Sequence, residues 1–353
     1  MTGNKQLERR LAGLILGTAV GDALGLPAEG LSPARIQKRW HDHWRMRLVF
    51  GRGMVSDDTE HCFFVAQSLL SSPKDVVAFR RDLAARLRWW FVGLPAGVGL
   101  ATARACLKLW LGISPERSGV FSAGNGPAMR SAIIGAFFEH DQHRREEFVK
   151  ASTRLTHTDP RAEIAALAVA EAAAWIISGQ EGVNGFTKRL RACGTGDEWS
   201  QVCHRLEEAI VAKTTVKNFA CSLGLQKGVT GYAFHTVPVA IYAWLRHPQD
   251  FRKALVEALN CGGDTDTVGA IVGALVGSSV GDDGIPRDWL GKVWEWPRTA
   301  GKMRILAARL VQARQLGQPQ AEVAYFWLGI LPRNLFFLLI VLGHGLRRLF
   351  PPY

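Results

Sequence analysis

The sequence predicts an all-α fold: a compact multi-helix bundle with a hydrophobic helical appendage at its C-terminal end. Apolar residues recur at helical spacing along most of the chain. Glycines repeat every fourth position in two apolar runs, Gly13, Gly17, Gly21 and Gly25 early and Gly269, Gly273 and Gly277 late. No convincing stretch alternates between apolar and polar residues as a half-buried strand would. With 353 residues, of which 48% are hydrophobic and 21% charged, the chain has material for a large core.

Taken in order, Leu7 to Leu26 reads as a buried helix whose glycine stripe lets another helix come very close. Asp22 inside this run, with Arg9 and Arg10 before it, argues against a membrane span. Pro27 to Gly30 break the helix and leave Glu29 in a loop, facing either a site or solvent. Residues 32 to 53 are basic, contain Trp40 and Trp44, and read as irregular. Ser56-Asp57-Asp58-Thr59-Glu60 reads as a helix start: Ser56 or Asp57 suits the cap, Glu60 can answer Asp57, and the helix dipole favours acids there. Helical patterns run from Asp75 to Phe91 and from Gly99 to Leu111, and Ser122 to Arg130 forms a glycine-rich loop entering an apolar helix. Thr158 or Asp159 caps an alanine-rich helix that has Pro160 in its first position and ends near Ile177. Residues 178 to 227 read as helical apart from a loop at Gly194 to Gly196, Gly231 to Pro238 opens a further apolar helix, and Phe251 to Asn260 is helical again. The late glycine run then supplies a helix able to pack on the first.

Chemistry concentrates in two acidic clusters. Asp264-Thr265-Asp266-Thr267 sets two carboxylates and two hydroxyls between a glycine pair and an apolar run. Hard divalent cations take such oxygen ligands. The Ser56 cluster is its complement: capping explains one or two acids but not Asp57, Asp58 and Glu60 together, so capping and cation binding both stand. Gly124-Asn125-Gly126 with Arg130 nearby suits a phosphate or diphosphate, and is equally an ordinary loop. His157 and His235 are either ligand contacts or packing residues.

A formal net charge of +12 and a pI near 9.7 favour anionic partners. The arginines are dispersed and no nucleic-acid motif is present, so no specific nucleic acid is expected. The cysteines show no C-x-x-C pair or zinc spacing, and the first residues lack a secretory h-region, which together point to reduced thiols in a cytoplasmic protein. In the tail, Tyr325 to Leu331 and Leu335 to Leu342 are apolar pieces separated by Pro332-Arg333-Asn334. Each is shorter than the roughly 20 residues of a clean span. An interfacial helix or re-entrant hairpin, a protein-contact or core helix, and a kinked span are the readings, so contact with a membrane surface is left open.

Six motifs occur in one order: GLILGTAVGDALGLPAEG at 13–30, SDDTE at 56–60, GNGPAMR at 124–130, THTDP at 156–160, YAFHTVP at 232–238 and GGDTDTVG at 262–269. In this the chain resembles the ADP-ribosylglycohydrolase family over about residues 7 to 300. The resemblance implies an all-α catalytic domain over 1–320, followed by a segment, 321–353, that inherits nothing from it. It also implies a binuclear Mg²⁺ or Mn²⁺ centre, and removal of ADP-ribose from a modified protein side chain or a small adduct. The implied metal ligands are Ser56, Asp57, Asp58, Asp264, Asp266 and Thr267; Ser56 stands where many members have threonine and keeps the hydroxyl. Glu29 matches an acidic loop residue beside the metals. Gly124, Asn125, Gly126, Arg130, His157 and His235 fall in motifs that would line the ADP-ribose pocket.

Cleaving a ribosyl C1″–N or C1″–O bond builds positive charge at C1″, which nearby carboxylates stabilise, and it needs a proton acceptor for water. Glu29 or Asp58 is the expected acceptor. Two other readings compete: an aspartyl-phosphate phosphatase built on Asp264-x-Asp266, which the helical lead-in and Gly262-Gly263 disfavour, and an inert ADP-ribose binder or membrane-tethered scaffold.

Overall fold

The two glycine-striped runs become the central helices, Thr2–Gly25 and Thr265–Val280. In the computed structural model, which describes residues 2–180 and 182–348, their backbones touch. A Cβ added at Gly13, Gly17, Gly21 or Gly25 would lie 2.1, 2.1, 1.9 and 2.2 Å from the carbonyl oxygens of Gly277, Gly273, Gly269 and Thr265. No side chain fits at such distances, so glycine is a steric requirement on this face. The first helix is long and apolar because it is the core: its most apolar window is wholly buried.

Around this pair pack the Asp57–Ser71, Pro160–Ile177 and Ala233–Arg246 helices. The alanines of Pro160–Ile177 allow close approach on several sides, and all of them are buried. Helix starts follow the sequence. Asp75 accepts from the N–H groups of Val77 at 2.9 Å and Ala78 at 3.0 Å to start Val76–Val92, and Asp159 accepts from Arg161 N–H at 2.9 Å with Pro160 in the first position. The span after Ser178 contains the helices Val183–Ala192, Asp197–Ala212 and Val216–Ser222. Among the described residues there is no sheet; isolated bridges such as Leu31–Gly263, Val229–Gly263 and Gly124–Tyr232 tie loops together. All six cysteines are free.

Two stretches differ from expectation. Residues 32 to 53 are not wholly irregular: Pro33–Trp40 is a helix with proline first, ended by His41 and Asp42 at φ 45° and 61°. In the tail, Pro332-Arg333-Asn334 does not interrupt, because Ile330–Arg347 is a single helix. Pro332 falls in the first turn, where a backbone N–H would have no partner within the helix, so its ring is tolerated.

Candidate active site

Ser56 caps the Asp57–Ser71 helix, its hydroxyl accepting from Asp58 N–H at 3.4 Å. A second cap comes from another helix. Asp22 accepts from Ser56 N–H at 3.0 Å, Thr59 N–H at 3.2 Å and Thr59 Oγ1 at 2.6 Å. Fully buried, Asp22 has its pKa lifted to about 7 by desolvation, against the pull of those bonds. Sequence reasoning missed this role, although a carboxylate beside Gly21 in a helix contact too tight for side chains was the available signal.

The opposite wall begins at Gly262 and Gly263, at φ 68° and 81°. A Cβ on Gly263 would sit 1.8 Å from Val229 O and one on Gly262 2.6 Å from Leu31 O, so the glycine pair lets two loops close around the turn that launches Asp264. Asn125 then fixes Asp264: its amide donates to Asp264 Oδ2 at 2.6 Å and to Thr236 Oγ1 at 2.9 Å. Thr267 Oγ1 donates to Asp58 Oδ2 at 3.3 Å, a contact spanning 209 positions that joins the two acidic clusters. Ser56 Oγ lies on the same Asp58 oxygen at 3.1 Å.

Between these walls lies a cleft of about 520 Å³ whose lining includes Glu29, Asp57, Asn125, His157, Asp264 and Asp266. Gly124, Gly126 and Thr267 also line it, whereas Ser56 and Asp58 sit behind the surface, 4% and 1% exposed. The carboxylates raise one another. Desolvation, and then Asp22 and Glu60, raise Asp57; desolvation, and then Asp22, Asp57 and Asp264, raise Asp58; desolvation, and then Glu29 and Asp264, raise Asp266, each well above the carboxylate range. Glu29 is exposed at the rim, yet protein crowding around its carboxyl and the charge of Asp264 raise it, while Arg348 opposes.

The donors are carboxylates and hydroxyls, the chemistry of a hard divalent cation rather than of zinc held by His and Cys. Among the described residues, no trio of His, Cys, Asp and Glu side chains is already gathered into a coordination shell. The fit to a cation rests on the oxygen donors and on Asp58 Oδ1, which is buried with no hydrogen-bond partner among the described residues.

The remaining expected site residues divide. His157 is 3% exposed and lies against the glycine loop: a Cβ on Gly124 or on Gly126 would come within 3.1 Å of its ring. Its Nδ1 bonds Thr156 Oγ1 at 2.9 Å, and burial, with Arg130 nearby, drives its pKa to about 3, so the ring works uncharged. Arg130 is a correction. It is fully buried, its guanidinium on Ser152 Oγ, Ser152 O, Thr156 Oγ1 and His61 Nδ1, because the short 128–130 turn aims it into the core. Fully buried, with four of its five N–H groups engaged, it does not reach a diphosphate in the cleft and instead ties the glycine loop to the His157 loop. His235 stands one step back, half-buried and bonded at 2.8 Å to Thr230, which lines the cleft.

Glu60 is also redirected. It does not answer Asp57; its carboxylate accepts from Trp90 Nε1 at 2.5 Å and pairs with Arg298 in a buried network. Arg333 of the tail completes that network at 3.6 Å from Glu60 and 2.6 Å from Glu295, and donates to Val55 O at 2.6 Å, one residue before the Ser56 cap. Arg348 donates to Glu29 O at 2.8 Å and Pro27 O at 3.1 Å, holding the acidic loop. Neither arginine had a sequence signal, since both lie in the segment after residue 320.

Known proteins resemble this chain over most of its length. The family described as ADP-ribosylglycohydrolase matches residues 3–320. An uncharacterised protein of Archaeoglobus fulgidus is 31% identical over 293 residues, covering 80% of this chain and 91% of its own length. The ADP-ribosyl-[dinitrogen reductase] glycohydrolase of Rhodospirillum rubrum is 28% identical over 299 residues, 83% of this chain and 92% of that protein. A solved structure titled ADP-ribosylglycohydrolase-related protein complex superposes with a TM-score of 0.62 at 27% identity, covering 88% of this chain and 99% of its own.

Proposed function

The chain belongs to the ADP-ribosylglycohydrolase family, and from that premise we propose that it is a divalent-cation-dependent hydrolase of the ribosyl C1″–N or C1″–O bond in an ADP-ribosylated side chain or related adduct. The observation that carries this reading is the Thr267–Asp58 contact, which brings two acidic helix starts together around an unpartnered carboxylate oxygen. Asp57, Asp58, Asp264 and Asp266, with the hydroxyls of Ser56 and Thr267, would hold two Mg²⁺ or Mn²⁺ ions. Bound there, the cations supply positive charge that orients vicinal ribose hydroxyls and acidifies the attacking water.

The protein's own groups do the rest. Water oxygen bonds C1″ as the C1″–N or C1″–O pair departs with the leaving group. Glu29, the acid at the cleft rim, takes the water proton, and its raised pKa suits it to hand a proton on to the leaving atom. Asp58, buried behind the wall, serves cation binding rather than proton transfer. Asn125 keeps Asp264 in place, and the neutral His157 with the Gly124–Gly126 backbone offers an uncharged wall to the nucleotide portion.

The test is hydrolysis of ADP-ribosyl-arginine, ADP-ribosyl-serine and a small ADP-ribosyl adduct, with Mg²⁺, with Mn²⁺ and with chelator. Release of ADP-ribose that chelator abolishes and either metal restores is the expected result. No turnover on any linkage by protein that demonstrably binds metal would leave an inert binder as the answer.

A further inference from the structure

The helix Ile330–Arg347 turns a row of leucines to solvent: Leu331, Leu335, Leu339, Leu342 and Leu346, each 44–69% exposed. Their spacing of four, four, three and four places them on one helical face. The other face is anchored to the body by buried Arg333, by Phe337, and by Asn334 Nδ2 donating to Gly93 O at 2.7 Å. Between Arg333 and Arg347 the helix carries no acidic or basic residue other than His344. Aromatic side chains continue the apolar face. Trp294 and Trp296, 45% and 46% exposed, pack at 5.9 Å on Phe336 and Phe326.

A basic cavity adjoins the far end of this helix. About 440 Å³ in volume, its wall includes Arg39, Arg45, Arg47, Lys292, His344 and Arg347 and, among the described residues, no carboxylate. Arg39 and Arg47 lie over the Trp40 ring at 5.5 and 5.2 Å, and Arg47 Nε is buried with no hydrogen-bond partner among the described residues. Desolvation, and then the charges of Arg45 and Arg39, push the Arg47 pKa down, so an anion placed beside it would be attracted by several cations at once. Phe50, 97% exposed, stands at the tip of the neighbouring turn.

Few partners match both halves of this surface. A two-fold contact between copies centred here would set one cation cluster against another, a like-charge arrangement. A bilayer containing anionic lipids offers an apolar layer to the leucines, phosphates to the cavity and an interfacial zone to tryptophan. We propose that this face docks on an anionic phospholipid bilayer, the tail helix lying in the membrane plane and lipid phosphates entering the Arg45–Lys292 cavity. The helix lies on the membrane instead of crossing it because Arg333 and Asn334 hold its inner face to the protein.

The experiment is co-sedimentation of the full-length chain with vesicles of phosphatidylcholine alone and of phosphatidylcholine mixed with phosphatidylglycerol. Binding to the mixed vesicles is expected, falling about tenfold when the anionic lipid is omitted or salt is raised. Arg45→Glu with Lys292→Glu, and separately Leu339→Ser with Leu342→Ser, should each lower it about tenfold with hydrolysis in solution unchanged. In the unaltered protein, brominated lipid in the mixed vesicles should quench tryptophan emission. Sedimentation with neither vesicle, equal and salt-insensitive sedimentation with both, absence of quenching, or a dimer through the leucine face that vesicles do not disperse would each overturn the proposal.

Discussion

Glu29 occupies a position unlike that of any other acid in the site: exposed at the rim, within the field of Asp264, with its backbone carbonyl held by Arg348. Glu29→Gln keeps the shape and would remove the proposed proton acceptor, so kcat should fall by about 10²- to 10³-fold with KM little changed. Steady-state kinetics on the best ADP-ribosyl substrate checks this, and full activity would remove Glu29 from the chemical step. His157 gives a stability prediction whose sign follows from its shift. In the folded chain its pKa is about 3 against an ordinary 6.5. Below pH 6.5 the unfolded chain therefore binds a proton that the folded chain refuses until about pH 3. Stability should drop as the pH falls through that window, by at most about 1.4 kcal/mol per pH unit from this group. Denaturant titrations should show a shallower pH profile for His157→Gln. Buried His61, also lowered well below its ordinary value by desolvation, adds a slope of the same sign.

The Gly21–Gly269 crossing sets the positions of Asp22 and of the Asp264–Thr267 turn at once, because it lies beside both. Gly21→Ala would place a methyl 1.9 Å from Gly269 O. The helices must part, and a loss of about 3 kcal/mol or more is expected, with cation affinity falling as well, since the two clusters separate. Equilibrium unfolding and metal titration together check this; unchanged stability would mean that the helices are not in contact. The glycine spacing made this helix pair legible in the sequence, as the paired aspartates, hydroxyls and glycine turn made the acidic walls legible. Arg130 was misread because local pattern cannot say which way a short turn aims a long side chain. Glu60 was misread because its partners, Trp90, Arg298 and Arg333, come from three distant segments.

At the scale of the whole molecule, the tail is wired into the catalytic body. Arg333 neutralises part of a buried network that includes Glu60 and Glu295, and Arg348 grips the loop bearing Glu29. Removing one partner of a buried charge network commonly costs about 3–5 kcal/mol. A chain stopped before Ala321 should thus melt at lower temperature and hydrolyse more slowly, and Arg333→Met alone should reproduce much of the stability loss. Calorimetry and hydrolysis rates on both proteins test this; an unchanged melting temperature would mark the tail as a passive appendage.

By itself, the sequence determined the all-helical class, the close pair of glycine-lined helices, the capped starts and the acidic clusters. Each follows from short-range rules: which faces are apolar, which backbones lack a Cβ, which side chains reach their own helix end. Only the tertiary structure decided that Asp22 caps another helix, that Thr267 meets Asp58 behind the cleft wall, that Arg130 supports instead of binding, and that two arginines of the tail brace the site. Those outcomes depend on where separate helices end in space, and long flexible charged side chains find partners from any segment that packing brings within reach.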